Sequence, residues 1–490
     1  MDVNEIITDK LEIHKCALCH DAPCNKMYKN ISPERIIRAI KFDNIRGART
    51  LINEETCFEK NDCNIKCPLN VDIDKILKSI INETKIDNID DVDISADICG
   101  VKLENPFLLS SSIVGSRYEM CKRAFEYGFA GVCTKTICVM PIHESSPRFS
   151  ALKDWDESFI GFKNIEQLSE YPLEYNMDMI RKLKNEFPTK VVIASIMGRD
   201  EEEWAYLAKE VTKAGADLIE LNFSCPNMKY KGTGSDVGQN PDLVEEYTRI
   251  VRNSTHIPIL AKMTPNITDM RVPALAAKKG GANGISAINT IKSITNVDID
   301  SLVPEPQVNG KSSLGGYSGR AVKPISLRYI AEMTTHDKLK DMSYSGIGGV
   351  YTWKDALEYM LLGCTSVQTT TAVMEYGYRI VEDLILGLKT FMKEKNYHQV
   401  SDFVGKAKCN LIANEELEKD TIEFPRFNPD KCIGCGRCYI SCMDGGHHAI
   451  KFDENRKPIL DGSKCVGCQL CRLVCPMKAI TRATKRIEKI

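Results

Sequence analysis

Eight cysteines near the C-terminus have the type and spacing for redox chemistry. They form two runs, Cys432-x2-Cys435-x2-Cys438-x3-Cys442 and Cys465-x2-Cys468-x2-Cys471-x3-Cys475-Pro476. This is the bacterial-type pattern for two 4Fe–4S clusters, in which the fourth cysteine of each run serves the other cluster. Cys432, Cys435, Cys438 and Cys475 are therefore expected to hold one cluster, and Cys465, Cys468, Cys471 and Cys442 the other. Two clusters side by side make a short electron wire. Structural zinc is the competing chemistry, but a zinc site takes four ligands, and eight interleaved ones exceed it. Cys442 is followed by Met443-Asp444-Gly445-Gly446 rather than by proline, so the turn after the first run must differ from that after the second.

A second set of polar residues closes apolar, β-rich runs: Lys135; Asn222 with Ser224 and Cys225; Lys262; Asn289 with Thr290. A buried strand has little reason to end in lysine or asparagine unless something polar is bound there. A solvated strand end explains any one of them, but not a ring of them on one face. Gly315-Gly316-Tyr317-Ser318-Gly319 reads as a glycine-rich loop, as does Gly346-Ile347-Gly348-Gly349, and Thr369-Thr370-Thr371 ends the last run. Glycines let backbone N–H groups approach a phosphate. Flavin mononucleotide fits, because a cluster wire needs a centre that converts single electrons into hydride chemistry.

The elements that must position these residues follow from periodicity. Strands are expected at 107–112, 131–136, 191–196, 218–223, 259–263, 284–289, 342–345 and 366–371. Helices between them are expected at 119–127, 201–214, 242–252 and 353–362. Eight β/α units in this length predict an α/β fold, a TIM (β/α)8 barrel, whose chemistry gathers at the C-terminal strand ends. An open doubly wound sheet is the alternative; no Gly-x-Gly-x-x-Gly opens a helix after the first strand. The expected domains are a small helical, cysteine-rich one (1–90, helices at 33–40 and 73–81, acidic linker 85–93), the barrel (91–395), linker helices (396–425) and an α+β ferredoxin-like domain (426–490).

The 490 residues carry a formal net charge of −2, which argues against nucleic acid as a main partner. No apolar run reaches the ~20 residues of a membrane helix, and Met1-Asp2-Val3-Asn4-Glu5 lacks the marks of a signal peptide. The expectation is a cytoplasmic protein, where 21 cysteines mean metal or catalysis rather than disulfides.

The run Glu220-Leu221-Asn222-Phe223-Ser224-Cys225-Pro226-Asn227 resembles the class 1 dihydroorotate dehydrogenase superfamily. So do Gly131-Val132-Cys133-Thr134-Lys135-Thr136, Ala261-Lys262-Met263-Thr264-Pro265-Asn266 and Ala287-Ile288-Asn289-Thr290. Within it the chain is most similar to the dihydropyrimidine dehydrogenases: the FMN/iron–sulfur subunit of the bacterial NAD-dependent enzymes and the matching half of the large eukaryotic one. Gly161 to Glu166 (GFKNIE), Ile193 to Gly198 (IASIMG), Gly238 to Asp242 (GQNPD) and Tyr376 to Asp383 (YGYRIVED) carry that closer likeness, from residue 92 to the end. The resemblance implies FMN across the barrel mouth, contacted by Ser111, Lys135, Lys262, Ser318, Gly319, Gly348, Gly349, Thr369 and Thr370. Lys262 would stabilise negative charge on the reduced ring. It implies a pyrimidine held by Asn164, Asn222, Asn289 and Thr290 with Ser224 near it; amides suit an imide edge because each offers donor and acceptor. Hydride would reach C6 of uracil or thymine and Cys225 would protonate C5, a thiol being protonated at neutral pH. Residues 228–237 would form a lid. The lone cysteines 99, 121, 133, 138, 364 and 409 are read as structural.

Cys16-x2-Cys19-x4-Cys24 and Cys57-x5-Cys63-x3-Cys67-Pro68 resemble the N-terminal cluster domain of the large enzyme. Tyr28 and Asn30 lie where that family has a further cysteine. One more 4Fe–4S cluster on Cys16, Cys19, Cys24 and Cys67 is the expectation; zinc or an empty docking remnant stay open. Without an FAD or nicotinamide fingerprint, the electron donor is expected to be a separate FAD/NAD(P)H subunit or a ferredoxin, in a homo- or hetero-oligomer. Dihydroorotate dehydrogenation competes, because dihydroorotate enzymes carry asparagine at the position of Asn227. A non-catalytic electron carrier is the third reading.

Overall fold

The computed structural model describes residues 10–52, 65–81, 83, 85–154, 157–228, 232–483 and 487–488. Cys57 and Cys63 lie outside them. The chain divides into two compact units, Met1–Lys408 and Cys409–Ile490.

The first unit is built on a closed barrel of eight parallel strands. In chain order these are Phe107–Leu109, Gly131–Cys133, Val191–Ile196, Leu218–Asn222, Ile259–Lys262, Gly284–Ala287, Ser343–Ile347 and Ser366–Thr369. Each falls within or beside its expected span. The barrel closes where Leu109 pairs with both Val132 and Thr369. Runs such as Val191-Val192-Ile193-Ala194 are buried along their whole length, as strands covered on both faces must be. The intervening helices carry their own stops. Asp200 caps Glu201–Ala214 by accepting from Glu203 N, and Gly215 ends that helix at φ +95°. Thr352 and Asp355 form a capping box on Trp353–Leu361. A hairpin of Ala96–Ile98 and Val101–Leu103 packs Ile98 and Leu103 against Leu108, Val191, Leu218 and Leu260.

Three features differ from the sequence reading. First, Gly315–Ser318 is a strand, not a loop. It joins Ile291–Ser293, Phe159–Asn164 and Phe149–Lys153 in a four-stranded antiparallel sheet. The glycines are required by packing: a Cβ on Gly316 would lie 2.2 Å from Thr290 Oγ1, and one on Gly315 would lie 2.5 Å from Asn164 O. Lys163, fully buried, ties this sheet to the segment beyond it by donating to Glu305 O at 2.6 Å and Ser313 O at 2.8 Å. Second, the linker helices expected over 396–425 are only 3-10 turns, Val400–Asp402, Lys408–Asn410 and Asn414–Glu416. Residues 409–420 are exposed, Leu411, Ile412 and Leu417 included, so no apolar face is buried there to hold a helix. Third, the N-terminal helices belong to the same compact unit as the barrel. Pro33–Lys41 and Ile73–Ile80 share a core of Ile36, Ile37, Ile40, Ile76 and Leu77 with Leu386, from the helix Ile380–Lys395. Arg38 seals that junction: it is 2% exposed and meets Asp383, Glu382 and, at 3.2 Å, Glu34. Arg379 also reaches Glu34, at 3.0 Å.

The second unit pairs Pro425–Phe427 with Ile480–Arg482 and Ile450–Phe452 with Pro458–Leu460, with helices Arg437–Asp444 and Leu470–Leu473. The helix of the first repeat is the longer, and His447 and His448 donate back to Cys442 O. This is the altered turn that the missing proline predicts. No helix among the described residues is long and apolar enough to cross a membrane.

Candidate functional site

A cleft opens at the C-terminal ends of the barrel strands. Cys225, Asn164, Asn222, Asn289, Thr290, Ser111, Lys135, Lys262, Ser318, Gly319, Gly348, Gly349, Thr369 and Thr370 all line it. Residues from seven strand ends and from the four-stranded sheet thus meet in one cavity.

Ser224 is the exception. It is fully buried behind the wall, and its N and Oγ donate to Asn222 Oδ1 at 3.1 and 2.8 Å. It orients Asn222 rather than lining the cleft. Asn222 Nδ2 in turn donates to Thr136 Oγ1 at 2.8 Å. Asn227 lines the cleft too, as do residues not singled out from the sequence: Glu166, Gln167, Tyr317, Tyr351 and Gln368. Glu166 and Tyr317 stand inside motifs already quoted. Gln368, a fully buried amide in the middle of a strand, was the available signal for the last barrel strand.

The floor is polar. Lys262 Nζ lies 3.2 Å from Glu220 Oε1, and both side chains are almost wholly buried. Cys133, read as merely structural, donates to the same oxygen at 3.4 Å. On one wall Lys135 Nζ faces Glu144 Oε1 at 3.5 Å and Glu166 Oε1 at 3.4 Å. Arg148 also reaches Glu166, at 3.2 Å. Burial pushes the Glu144 carboxyl above its ordinary range. Burial likewise pushes the Cys225 thiol up to about 11, so it holds its proton at neutral pH. Ser235 N donates to Cys225 O at 3.0 Å, which anchors one end of the segment read as a lid. Residues 229–231 of that segment lie outside the described residues.

Several features of the cleft suit a polar ligand. Lys135 Nζ, Asn227 Oδ1 and Gln368 Oε1 are buried without a hydrogen-bond partner, and orphaned buried polar groups are costly unless something satisfies them. At the other end Gly319 and Gly349 have φ of +96° and +67°. A Cβ on Gly349 would lie 2.7 Å from Lys323 Cβ, and one on Gly319 would lie 3.0 Å from Gly161 Cα. Bare backbone is therefore required there, as a phosphate cradle needs. The donor set fits a flavin mononucleotide.

The second unit holds two cavities. Cys432, Cys435, Cys438 and Cys475 line one, with Ile433, Phe427 and Pro476. Cys442, Cys465, Cys468 and Cys471 line the other, with Val466 and Ile450. The crossed grouping is the one the spacing predicts. Backbone N–H groups point at the sulfurs in matching places: Gly434 N to Cys432 Sγ and Gly467 N to Cys465 Sγ at 3.4 Å, Ala449 N to Cys442 Sγ and Ala479 N to Cys475 Sγ at 3.3 Å. Such N–H···S contacts tune cluster potentials. In the N-terminal segment Cys24 is part of the small apolar core, and Cys16, Cys19 and Cys67 pack against that core. Arg379 donates to the carbonyls of Leu18 and Cys19 and so holds that loop against the barrel helices.

Residues 93–392 match the dihydroorotate dehydrogenase family, and residues 426–482 match the 4Fe-4S dicluster domain. The NAD-dependent dihydropyrimidine dehydrogenase subunit PreA of Escherichia coli (strain K12) is 53% identical over 398 residues, 81% of this chain and 97% of that protein. The chloroplastic dihydropyrimidine dehydrogenase (NADP(+)) of Arabidopsis thaliana is 39% identical over 339 residues, 67% of this chain and 80% of that protein. The catalytic subunit of dihydroorotate dehydrogenase B (NAD(+)) from Pyrococcus abyssi is 37% identical over 315 residues, 64% of this chain and 99% of that protein.

Proposed function

The chain belongs to the dihydroorotate dehydrogenase family, and from that premise we propose that this oxidoreductase interconverts uracil or thymine with the 5,6-dihydropyrimidine. Flavin mononucleotide, when bound, supplies hydride chemistry at C6, and the iron–sulfur clusters supply single electrons. The protein's own residues do the rest. Asn164, Asn222, Asn289 and Thr290 present paired donors and acceptors to the imide edge of the ring. Cys225 gives its thiol proton to C5 in the reductive direction and takes it back in the other. Lys135, Lys262, Ser111, Ser318, Gly319, Gly348, Gly349, Thr369 and Thr370 would hold the flavin. Cys432, Cys435, Cys438 and Cys475 ligate one 4Fe–4S cluster; Cys465, Cys468, Cys471 and Cys442 ligate a second; Cys16, Cys19, Cys24 and Cys67 ligate a third. Electrons arrive from a separate FAD/NAD(P)H subunit or a ferredoxin.

One observation favours an uncharged pyrimidine over orotate. The cations among the described lining residues are Lys135 and Lys262, and each already faces a buried carboxylate. A carboxylate on the substrate has to compete with those buried carboxylates for either cation, and Glu166 in the wall repels it. Dihydroorotate chemistry is the second reading, carried by Asn227.

The test is anaerobic. The cluster-loaded protein is reduced, freed of excess reductant and mixed with each ring in turn. Uracil or thymine is expected to reoxidise the flavin and orotate to leave it reduced; reoxidation by orotate alone overturns the reading.

The crossed ligand sets make a separate prediction. Cys475→Ala is expected to remove about half of the iron of the second unit. Spectroscopically the cluster lost is the one beside Cys432, not the one beside its sequence neighbours. Loss of the cluster beside Cys465 instead would refute the assignment.

A further inference from the structure

Barrel interiors of this fold are ordinarily filled by branched apolar side chains in layers. Beneath this cleft the layer is polar and centred on one carboxylate. Glu220, on the fourth barrel strand, is fully buried and does not line the cleft. Its Oε1 accepts from Lys262 Nζ at 3.2 Å and from Cys133 Sγ at 3.4 Å. Its Oε2 accepts from Ser286 Oγ at 2.9 Å and from Gln368 Nε2 at 3.4 Å. The fifth, second, sixth and eighth strands thus converge on it. An ionised carboxylate at this depth must be paired and hydrogen-bonded, and Lys262 is the cation that pairs with it.

Two things follow at the cleft floor. Lys262 is pinned from below, with its charge opposed by an anion on the side away from the ligand. Gln368 is fixed as well: its Nε2 is taken by Glu220 and by Ser345 Oγ at 3.2 Å. Its Oε1 is left on the cleft wall without a partner. It therefore offers an acceptor to a ring N–H.

We propose that Glu220 is a positioning residue that fixes Lys262 and Gln368 against the flavin ring and, by opposing the lysine's charge, holds the flavin's reduction potential down. The inference rests on the flavin reading above. Adding electrons to the ring builds negative charge, and an anion behind Lys262 resists it.

Glu220→Gln keeps the shape and removes the charge. In the full-length holoenzyme, anaerobic dye-equilibrated titration followed at the flavin absorbance reads the midpoint potential. The variant is expected to favour reduced over oxidised flavin by a further tenfold, a rise of about 30 mV for the two-electron couple. Glu220→Asp restores the charge and is expected to bring the potential back towards the parent's, which a purely structural role would not do. An unmoved or lowered potential in Glu220→Gln overturns the inference. Should that variant fail to fold, Ser286→Ala withdraws one donor from the carboxylate and sharpens its charge. It is then expected to lower the same ratio by about threefold, and an unmoved ratio overturns the inference. A parent protein that binds no flavin sinks both readings; one that binds flavin with a potential indifferent to Glu220 sinks only this one.

Discussion

Replacing Cys225 by alanine is expected to lower turnover by about 10²–10⁴-fold, the usual worth of a positioned general acid, while bound flavin and its spectrum stay unchanged. The side chain lies on the cleft wall with Asn164, Asn222 and Asn289, and burial pushes its thiol up to about 11. The sign of the pH dependence follows. The reductive direction needs the protonated thiol, so its rate is expected to hold through neutral and mildly alkaline pH and to fall as pH approaches 11. The oxidative direction needs the thiolate, and its rate is expected to climb over the same range. Stopped-flow flavin reoxidation with uracil across pH reads both the loss and the profile. A Cys225→Ala enzyme turning over within threefold of its parent would remove the thiol from the mechanism.

Arg38→Met is expected to cost about 3–5 kcal/mol, because removing one partner of a buried ion pair leaves the others uncompensated. Arg38 is 2% exposed and faces Glu34, Glu382 and Asp383. With Arg379 on Glu34, two guanidinium groups serve three carboxylates. The excess falls on the most buried of them: desolvation pushes the Asp383 carboxyl up to about 7 despite Arg38 beside it. A raised carboxyl means the folded protein binds a proton that the unfolded chain releases between its ordinary 3.8 and about 7. The stability contributed by this junction is therefore present at low pH and declines as pH rises through that window. Asp383→Asn is expected to flatten the decline. Because a multi-domain cluster protein has no single unfolding free energy, hydrogen exchange in Pro33–Lys41 and Ile45–Thr50 is the measurement. Protection there is expected to drop about 10²–10⁴-fold in Arg38→Met. Protection within threefold of the parent would show that the junction is held by apolar packing alone.

Much of the architecture was legible because it rests on repeated local signals. Strands such as Val191–Ile196 and Leu218–Asn222 are apolar runs between turn signals, and polar ends such as Asn222 and Lys262 announce a cleft. The two cysteine runs likewise carry their crossed grouping in their spacing. The sheet over the cleft was hidden, because Gly315 and Gly316 punctuate a chain unless a neighbour forbids a Cβ, and that neighbour, Thr290 or the Asn164 carbonyl, is remote in sequence. Ser224 was misplaced for a related reason. Alternation along a strand end does not say whether a hydroxyl faces the ligand or braces the residue that does. Glu220 and Gln368 sit mid-strand, where a polar residue reads as an isolated oddity; their meaning exists only once the barrel closes around them.

The crossed cysteine grouping also bears on how the protein is made. The first cavity draws three of its sulfurs from Cys432, Cys435 and Cys438 but its fourth from Cys475, and the second waits on Cys471 while already owning Cys442. On a ribosome, neither cavity has four thiols until the later repeat has emerged. Filling either cavity through four sulfurs thus has to wait for the second repeat, and a polypeptide broken off between the repeats completes neither set of four cysteines.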